Sequence, residues 1–168
     1  DSIIMAQAYR MTLAGMPEGD TPSSAQSLTQ HSLSALNELN DLALALQSGA
    51  ERHAETTQLA AAFLASASAW HEPVDSGFPV KGQDMALPVV CGYLGGLHHM
   101  PINLLIASML QSMSSNLAWI ATRLVPLGQT SCLQLIARLE PVIESITLQC
   151  ANASLDEDRH KVDRGRAA

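Results

Sequence analysis

The sequence has little charge and few aromatic residues. Charged residues make up 15% of the 168 positions and aromatic residues 4%, whereas charged residues alone are about a quarter of a typical soluble chain. The apolar share of 47% is mostly alanine and leucine, which favour helices over strands. Because so few charges are available to solvate the surface, we expect a partner or a second copy of the chain to cover exposed apolar residues.

Basic residues and paired cysteines are also scarce. The net charge is −7, and the nine Lys and Arg residues are scattered, so no basic stripe is available to neutralise nucleic-acid phosphates. The three cysteines lack CxxC spacing and are interpreted as reduced core thiols in a reducing compartment. These features exclude a nucleic-acid binder and a disulfide scaffold.

Sequence motifs of catalysis are missing as well. The chain has no Walker A loop, no HExxH and no GxSxG. Gly92, Gly95 and Gly96 lack the spacing of a dinucleotide-binding loop. The sequence therefore predicts a protein that is not an enzyme and needs no cofactor.

Helical periodicity runs through most of the chain and predicts an all-α, single-domain bundle over residues 1–168. The segments predicted as helices are 2–14, 25–47, 50–70, 88–97, 101–123 and 131–150. Asn37 and Asn40 could divide the second segment in two, which gives six or seven helices. Residues 16–24 are predicted to be a mobile linker and residues 152–168 a frayed tail.

The run from Met85 to Thr122 contains no Asp, Glu, Lys or Arg, which raises the question of a membrane span. Polar residues and prolines interrupt every window of about 20 residues. A stripe of Leu105, Met109, Met113, Asn116 and Ile120 instead predicts a fully buried core helix and no membrane contact.

The segment after this run has the features of a rigid corner between helices. Pro126 should end the long helix at Val125. Gly128 is expected to adopt a positive φ, and Ser131 with Gln134 has the spacing of a capping box. Earlier in the chain, Gly92 is expected to permit close approach of another backbone.

The pair His98–His99, with Cys91 seven residues earlier, is a weak metal candidate. Adjacent histidines point in different directions on a regular element, so one chain offers a single good ligand there unless the backbone turns sharply. A symmetric dimer could complete such a site. Two loop histidines that precede a proline are the alternative interpretation.

Three segments together resemble the urease accessory protein UreF family. Residues 123–130, RLVPLGQT, are similar to its most specific motif; residues 88–92, PVVCG, and residues 51–64 are similar to two weaker ones. The resemblance covers about residues 36–146. By comparison with the family's pattern, the family's N-terminal and C-terminal segments are expected to be missing from the chain.

The resemblance implies a non-catalytic, cytoplasmic assembly factor. It would bridge a UreD/UreH-type scaffold and the UreG GTPase, modulate GTP hydrolysis and deliver nickel into the urease apoprotein, with a homodimer as the expected state. The implied partner-binding residues lie in the motifs: Glu51, Arg52, Glu55, Arg123, Gln129 and Thr130. The alternative is a helical nickel-binding or generic dimerisation module that uses His98 and His99.

Overall fold

The computed structural model describes residues 1–16, 28–69, 78, 83–126 and 128–153. Within these ranges the chain forms six helices and no strand, which confirms the all-α prediction. They are α1 (Ser2–Gly15), α2 (Gln30–Ala45), α3 (Ala50–Ala67), α4 (Leu87–Leu97), α5 (Ile102–Leu124) and α6 (Gln129–Asn152). Except for Met16, Asn152 and Ala153, the linker and the tail predicted at 16–24 and 152–168 lie outside the described residues.

The helices group into two compact units. The first contains residue 1 and residues 3–100, and therefore α1 to α4; the second contains residue 2 and residues 101–168, and therefore α5 and α6. In the first unit, α2 and α3 both pack against α4, and nine of the eleven residues of α4 are buried. Helix α4 is thus the centre of the first unit.

Helices α1 and α4 approach each other at two glycines one turn apart. A Cβ atom added to Gly92 would collide with the Met5 carbonyl oxygen and lie 2.7 Å from the Cβ of Ala8. A Cβ added to Gly96 would lie 2.8 Å from the Cβ of Thr12. The two backbones are in contact along this seam, because neither helix has a large side chain between them.

The N-terminus of α4 has no side-chain cap of its own and receives two from neighbouring helices. Asn40 of α2, fully buried, accepts a hydrogen bond from Ala86 N–H at 2.8 Å and donates one to the Asp84 carbonyl at 2.9 Å. Thr56 of α3 accepts from Leu87 N–H at 3.0 Å through its hydroxyl oxygen. These bonds hold in place the segment that leads into α4.

The second helix is continuous, so of the two possibilities, one helix or two, the first is correct and Asn37 and Asn40 do not divide it. Burial explains why Asn40 is compatible with the helix. The amide of Asn40 forms its hydrogen bonds outside α2 and does not compete for the backbone of its own helix.

Helix α5 is not the fully buried core helix that the sequence predicts. Three of its 23 residues are buried, Leu105, Ile106 and Ala118. Helix α6, its neighbour within the second unit, can cover one side of α5 and leaves the remaining apolar side chains to solvent. The large apolar residues of α5 that are exposed are Leu104, Met113, Leu117, Trp119, Ile120 and Leu124.

By length and composition, α5 is long and apolar enough to cross a membrane, and no other described helix is. Of the window that meets this criterion, 17% is buried. Core helices of water-soluble proteins meet the same criterion of length and composition, but such helices are mostly buried. The exposure of α5 therefore needs a separate explanation.

Replacing Asn40 by Ala should lower the free energy of unfolding by about 2 kcal/mol, because Ala86 N–H and the Asp84 carbonyl would lose their partner at a buried position. Asn37→Ala is the matched control on the same helix. The Oδ1 of Asn37 is buried without a hydrogen-bond partner, so its loss should change stability by less than about 0.5 kcal/mol. Urea unfolding followed by circular dichroism measures both values. Equal losses would contradict the capping role.

Gly92→Ala should destabilise the protein by about 1–3 kcal/mol, because the new methyl group cannot fit between α1 and α4. Gly128→Ala adds the same group where no heavy atom lies within 4 Å of the new Cβ. That variant should remain within about 1 kcal/mol of the parent. Thermal unfolding of both variants tests the seam; a Gly92→Ala variant as stable as the Gly128→Ala variant would rule it out.

Candidate functional site

The corner between α5 and α6 agrees with the sequence prediction at Val125 and differs from it at Gly128. Val125 is extended, with φ −125° and ψ 145°, as expected for a residue before proline. Gly128 has φ −69° and ψ 154°, so the expected positive φ is wrong. Its open surroundings and its position as N-cap of α6 account for the extended backbone.

The predicted capping box is also wrong. Helix α6 begins at Gln129, so Ser131 and Gln134 lie inside it, and no side chain caps its first turn. Cys132 N–H instead donates to the Gly128 carbonyl at 3.0 Å. Because the helix starts two residues early, Gln129 and Thr130 belong to its first turn. Leu127 lies outside the described residues.

The three candidate partner-binding residues at this corner are all exposed: Arg123, Gln129 and Thr130. Arg123 lies in the last turn of α5, where a cation interacts favourably with the helix dipole. Its guanidinium has no ion pair or hydrogen bond within the described part of the chain. Leu124 and Val125 beside it are 80% and 52% exposed. The corner therefore offers an unpaired cation next to exposed apolar side chains.

A second candidate surface lies on α3 in the first unit. Arg52 donates to Glu55 at 2.7 Å, and both side chains are about half exposed, so the pair contributes less than about 1 kcal/mol to stability. Along the same face, one and two turns further, Leu59 and Phe63 are 47% and 43% exposed. Glu51, in the first turn of α3, is exposed too. Charges here border apolar side chains that no described residue covers.

The pair His98–His99 closes the C-terminal end of α4. His99 has φ 49° and donates its N–H to the Gly96 carbonyl, while Met100 N–H donates to the Gly95 carbonyl at 2.9 Å. This is the hydrogen-bond pattern of a Schellman motif, in which the left-handed position usually holds glycine. The sharp turn leaves both histidines exposed.

Cys91, the third residue of the weak metal candidate, is buried, whereas His98 and His99 are exposed. Burial raises the pKa of its thiol from 9.0 to about 12, and metal ions bind the thiolate, so this burial disfavours metal binding by Cys91. The described residues include no group of three His, Cys, Asp or Glu side chains placed to hold a metal ion.

The apolar residues that α5 and α6 leave exposed in the second unit were not identified from the sequence. On α5 the largest exposed fractions are at Leu117 (66%) and Leu124 (80%), and on α6 at Leu133 (58%). The spacing of Met113, Leu117, Ile120 and Leu124 signals one helical face. Periodicity identifies such a face but does not say whether the same chain covers it.

Taken together, the described residues form helices whose exposed faces carry charged and apolar side chains, and they include no group of three His, Cys, Asp or Glu side chains placed to hold a metal ion. By its fold the chain belongs to the class of all-α proteins. The UreF family model matches residues 1–140, and the chain belongs to the UreF family.

Curated relatives agree with this assignment. The chain is 34% identical over 159 residues to a urease accessory protein UreF from Rhodopseudomonas palustris, with 94% of the chain and 60% of the relative aligned. It is 36% identical over 123 residues to the UreF of a Bradyrhizobium species, with 73% of the chain and 51% of the relative aligned. A UreF from Brucella ovis is 34% identical over 122 residues, with 73% and 52% aligned. The chain thus spans about half to three fifths of the length of these relatives.

Metal analysis distinguishes the two interpretations of the histidine pair. We expect less than about 0.2 equivalents of nickel or zinc per chain after dialysis of tag-free protein, because two exposed imidazoles without a third ligand hold a metal weakly. Plasma mass spectrometry gives the ratio. A value near one that disappears in the His98→Ala/His99→Ala variant, and survives Cys91→Ala, would establish a metal site.

Proposed function

We propose that the chain acts as a non-catalytic urease accessory protein in the cytoplasm. It joins a UreD/UreH-type scaffold to the UreG GTPase and modulates GTP hydrolysis while nickel passes into the urease apoprotein. Membership of the UreF family and the names of the relatives, urease accessory proteins, support this role.

One structural observation carries the proposal: charged groups adjoin exposed apolar side chains at both surfaces that match the family's motifs. Arg52 and Glu55 precede Leu59 and Phe63 on α3; Arg123 precedes Leu124 at the corner. Interfaces between separately folded proteins combine such apolar contacts with a polar rim, and arginine is enriched in them. A protein that acts through its partners needs surfaces of this kind.

No phosphate-binding loop occurs in the sequence, so the nucleotide chemistry is assigned to the GTPase partner. The regulator would change the rate of hydrolysis by favouring one conformation of that partner over another. Its own exposed groups need only bind the two conformations with different affinities.

Co-expression tests this function directly. A tagged chain should co-purify with both the scaffold and the GTPase from cells that express the urease operon, and its deletion should leave urease without nickel. A chain that captures neither partner, in cells where urease is fully active without it, would refute the proposal.

Arg123→Ala should leave the free energy of unfolding within about 0.5 kcal/mol of the parent, because the side chain is exposed and unpaired within the described residues. It should weaken partner binding and urease activation at least about tenfold, if a carboxylate of the partner pairs with it (about 1.4 kcal/mol).

Two controls accompany this variant. Arg123→Lys keeps the charge but loses the planar fork and should recover activation in part. Glu144→Ala removes another exposed charge, on α6, and should have no effect. If Arg123→Ala unfolds the protein, or activates urease normally, the corner is not a partner-binding site.

A further inference from the structure

One face of α2, in the first unit, combines exposed apolar and acidic side chains. Leu42 and Leu46 are 41% and 63% exposed, and Glu38 and Asp41 are exposed as well. Glu38 accepts a hydrogen bond from the Ser34 hydroxyl at 3.3 Å. Glu38, Leu42 and Leu46 follow one another at a spacing of four residues, which places them on one side of the helix. The buried residues of α2 point in a different direction: Ser32, Leu36, Leu39, Asn40 and Ala43.

Glu51 adds a third carboxylate at the end of this face. A Cβ atom added to Gly49 would lie 3.4 Å from a carboxylate oxygen of Glu51. The Glu51 side chain therefore lies beside the turn that joins α2 to α3 at residues 46–49, and Leu46 belongs to the same turn. We call Glu38, Asp41, Leu42, Leu46 and Glu51 together the α2 patch.

The three carboxylates of the α2 patch have no cation beside them in the part of the chain that the structure describes. Helices α2 and α3 contain one Lys or Arg residue, Arg52, and it pairs with Glu55. None of the three carboxylates forms an ion pair with a described residue. Asp41 also lies close to the C-terminal end of α2, where the helix dipole favours a cation, and the last turn of α2 contains no basic residue. A positive charge is therefore the group that would complement this surface.

We propose that the α2 patch binds a partner protein through a helix whose exposed side combines apolar side chains with Lys or Arg. The inference rests on the proposed function, because it assigns this basic helix to one of the two proteins that the chain joins. Leu42 and Leu46 would pack between apolar side chains of the partner, since residues four apart form a ridge that fits the groove of a facing helix. The cations of the partner would pair with the carboxylates that border the two leucines.

Charge complementarity selects a basic partner over other occupants of the patch. A two-fold axis through the patch would bring the carboxylates of two copies together, and like charges at such a contact are unfavourable. Nucleic acids and anionic lipid surfaces are negatively charged too and would be repelled in the same way. The net charge of the whole chain, −7, attracts a basic partner before the two surfaces touch.

Binding of the purified scaffold and, separately, of the purified GTPase to the whole 168-residue chain tests the proposal. Glu38→Lys/Asp41→Lys, the patch variant, reverses two charges of the α2 patch. Glu140→Lys/Glu144→Lys reverses two exposed charges on α6 and is the matched control. For one of the two proteins, the patch variant should raise the dissociation constant at least about tenfold, and the control should change it less than about twofold. If both variants have equal effects on both proteins, the proposal is wrong.

A second measurement separates the apolar and acidic components of the patch and does not require the patch variant to fold. Leu46→Ser removes an exposed apolar side chain at the end of α2. It should weaken binding and leave the salt dependence of binding unchanged. Binding of the parent should weaken as sodium chloride rises from about 0.05 to 0.5 M, because salt screens the exposed ion pairs, and the patch variant should lose most of this dependence. Parent binding that does not respond to salt, or that is unaffected by Leu46→Ser, would contradict the proposal.

Failure of this proposal is distinguishable from failure of the proposed function. If the parent binds the scaffold and the GTPase and the two variants act equally, the α2 patch is not the contact and the proposed function stands. If the parent binds neither protein, the proposed function is refuted and a peptide decides the inference. A helical peptide of about 20 residues, with leucines four apart and lysines beside them, should then bind the parent more tightly than the same peptide with glutamates in place of the lysines. Equal binding of the two peptides, or none, would overturn the proposal.

The cations of the chain itself are the remaining occupant to test. Arg159, Lys161, Arg164 and Arg166 follow one another closely in the sequence. Replacing all four by Ala should leave the affinity for the partner unchanged. A rise in affinity that the patch variant abolishes would assign the α2 patch to these residues and overturn its assignment to a partner.

Discussion

The first unit depends on how α4 is buried. Its eleven residues have no charged side chain, and its N-terminus has backbone N–H groups that its own sequence cannot cap. Asn40 and Thr56 supply acceptors for two of them, and Val89 and Val90 bond the Ala86 carbonyl. A helix can be this apolar because its neighbours satisfy its polar ends. Positions of α2, α3 and α4 are thereby fixed by directional bonds as well as by packing.

The second unit has the opposite problem, since two helices have too few sides to enclose a core. Each helix of a pair can cover one stripe of the other, and any further apolar stripe stays in contact with water unless another element covers it. Helix α6 buries Cys132, Ile143, Thr147 and Cys150 and still exposes Leu133, Leu135, Val142 and Leu148. The sequence of this unit therefore contains apolar side chains that α5 and α6 do not cover for each other.

Local sequence signals predicted the helices and their approximate ends, because helical periodicity and the restrictions that Pro126 imposes act within a few residues. They failed where the outcome depends on distant residues. The burial of α5 was overestimated because an apolar stripe does not show which element, if any, packs against it. Asn40 was interpreted as a weak point because its bonding groups, at Asp84 and Ala86, lie more than forty residues away. The available signal was that Asn40 lies on the same helical face as Leu36, Leu39 and Ala43, which predicts a buried polar side chain. Gly128 needed no positive φ because its corner is open.

The low number of charged residues has different consequences for surfaces that contain a charge and for surfaces that contain none. At Arg52, Glu55 and Arg123 a few charges stand beside apolar side chains, and an approaching partner must match both in order to bind. Such positions add selectivity, since a wrong partner leaves a charge desolvated and unpaired. The exposed side chains of Met113, Leu117, Ile120 and Leu124 on α5 have no charge for a partner to match, so they can distinguish partners only by shape. An apolar face without charges is typical of contacts that persist, whereas apolar side chains bordered by charges are typical of contacts that form and separate.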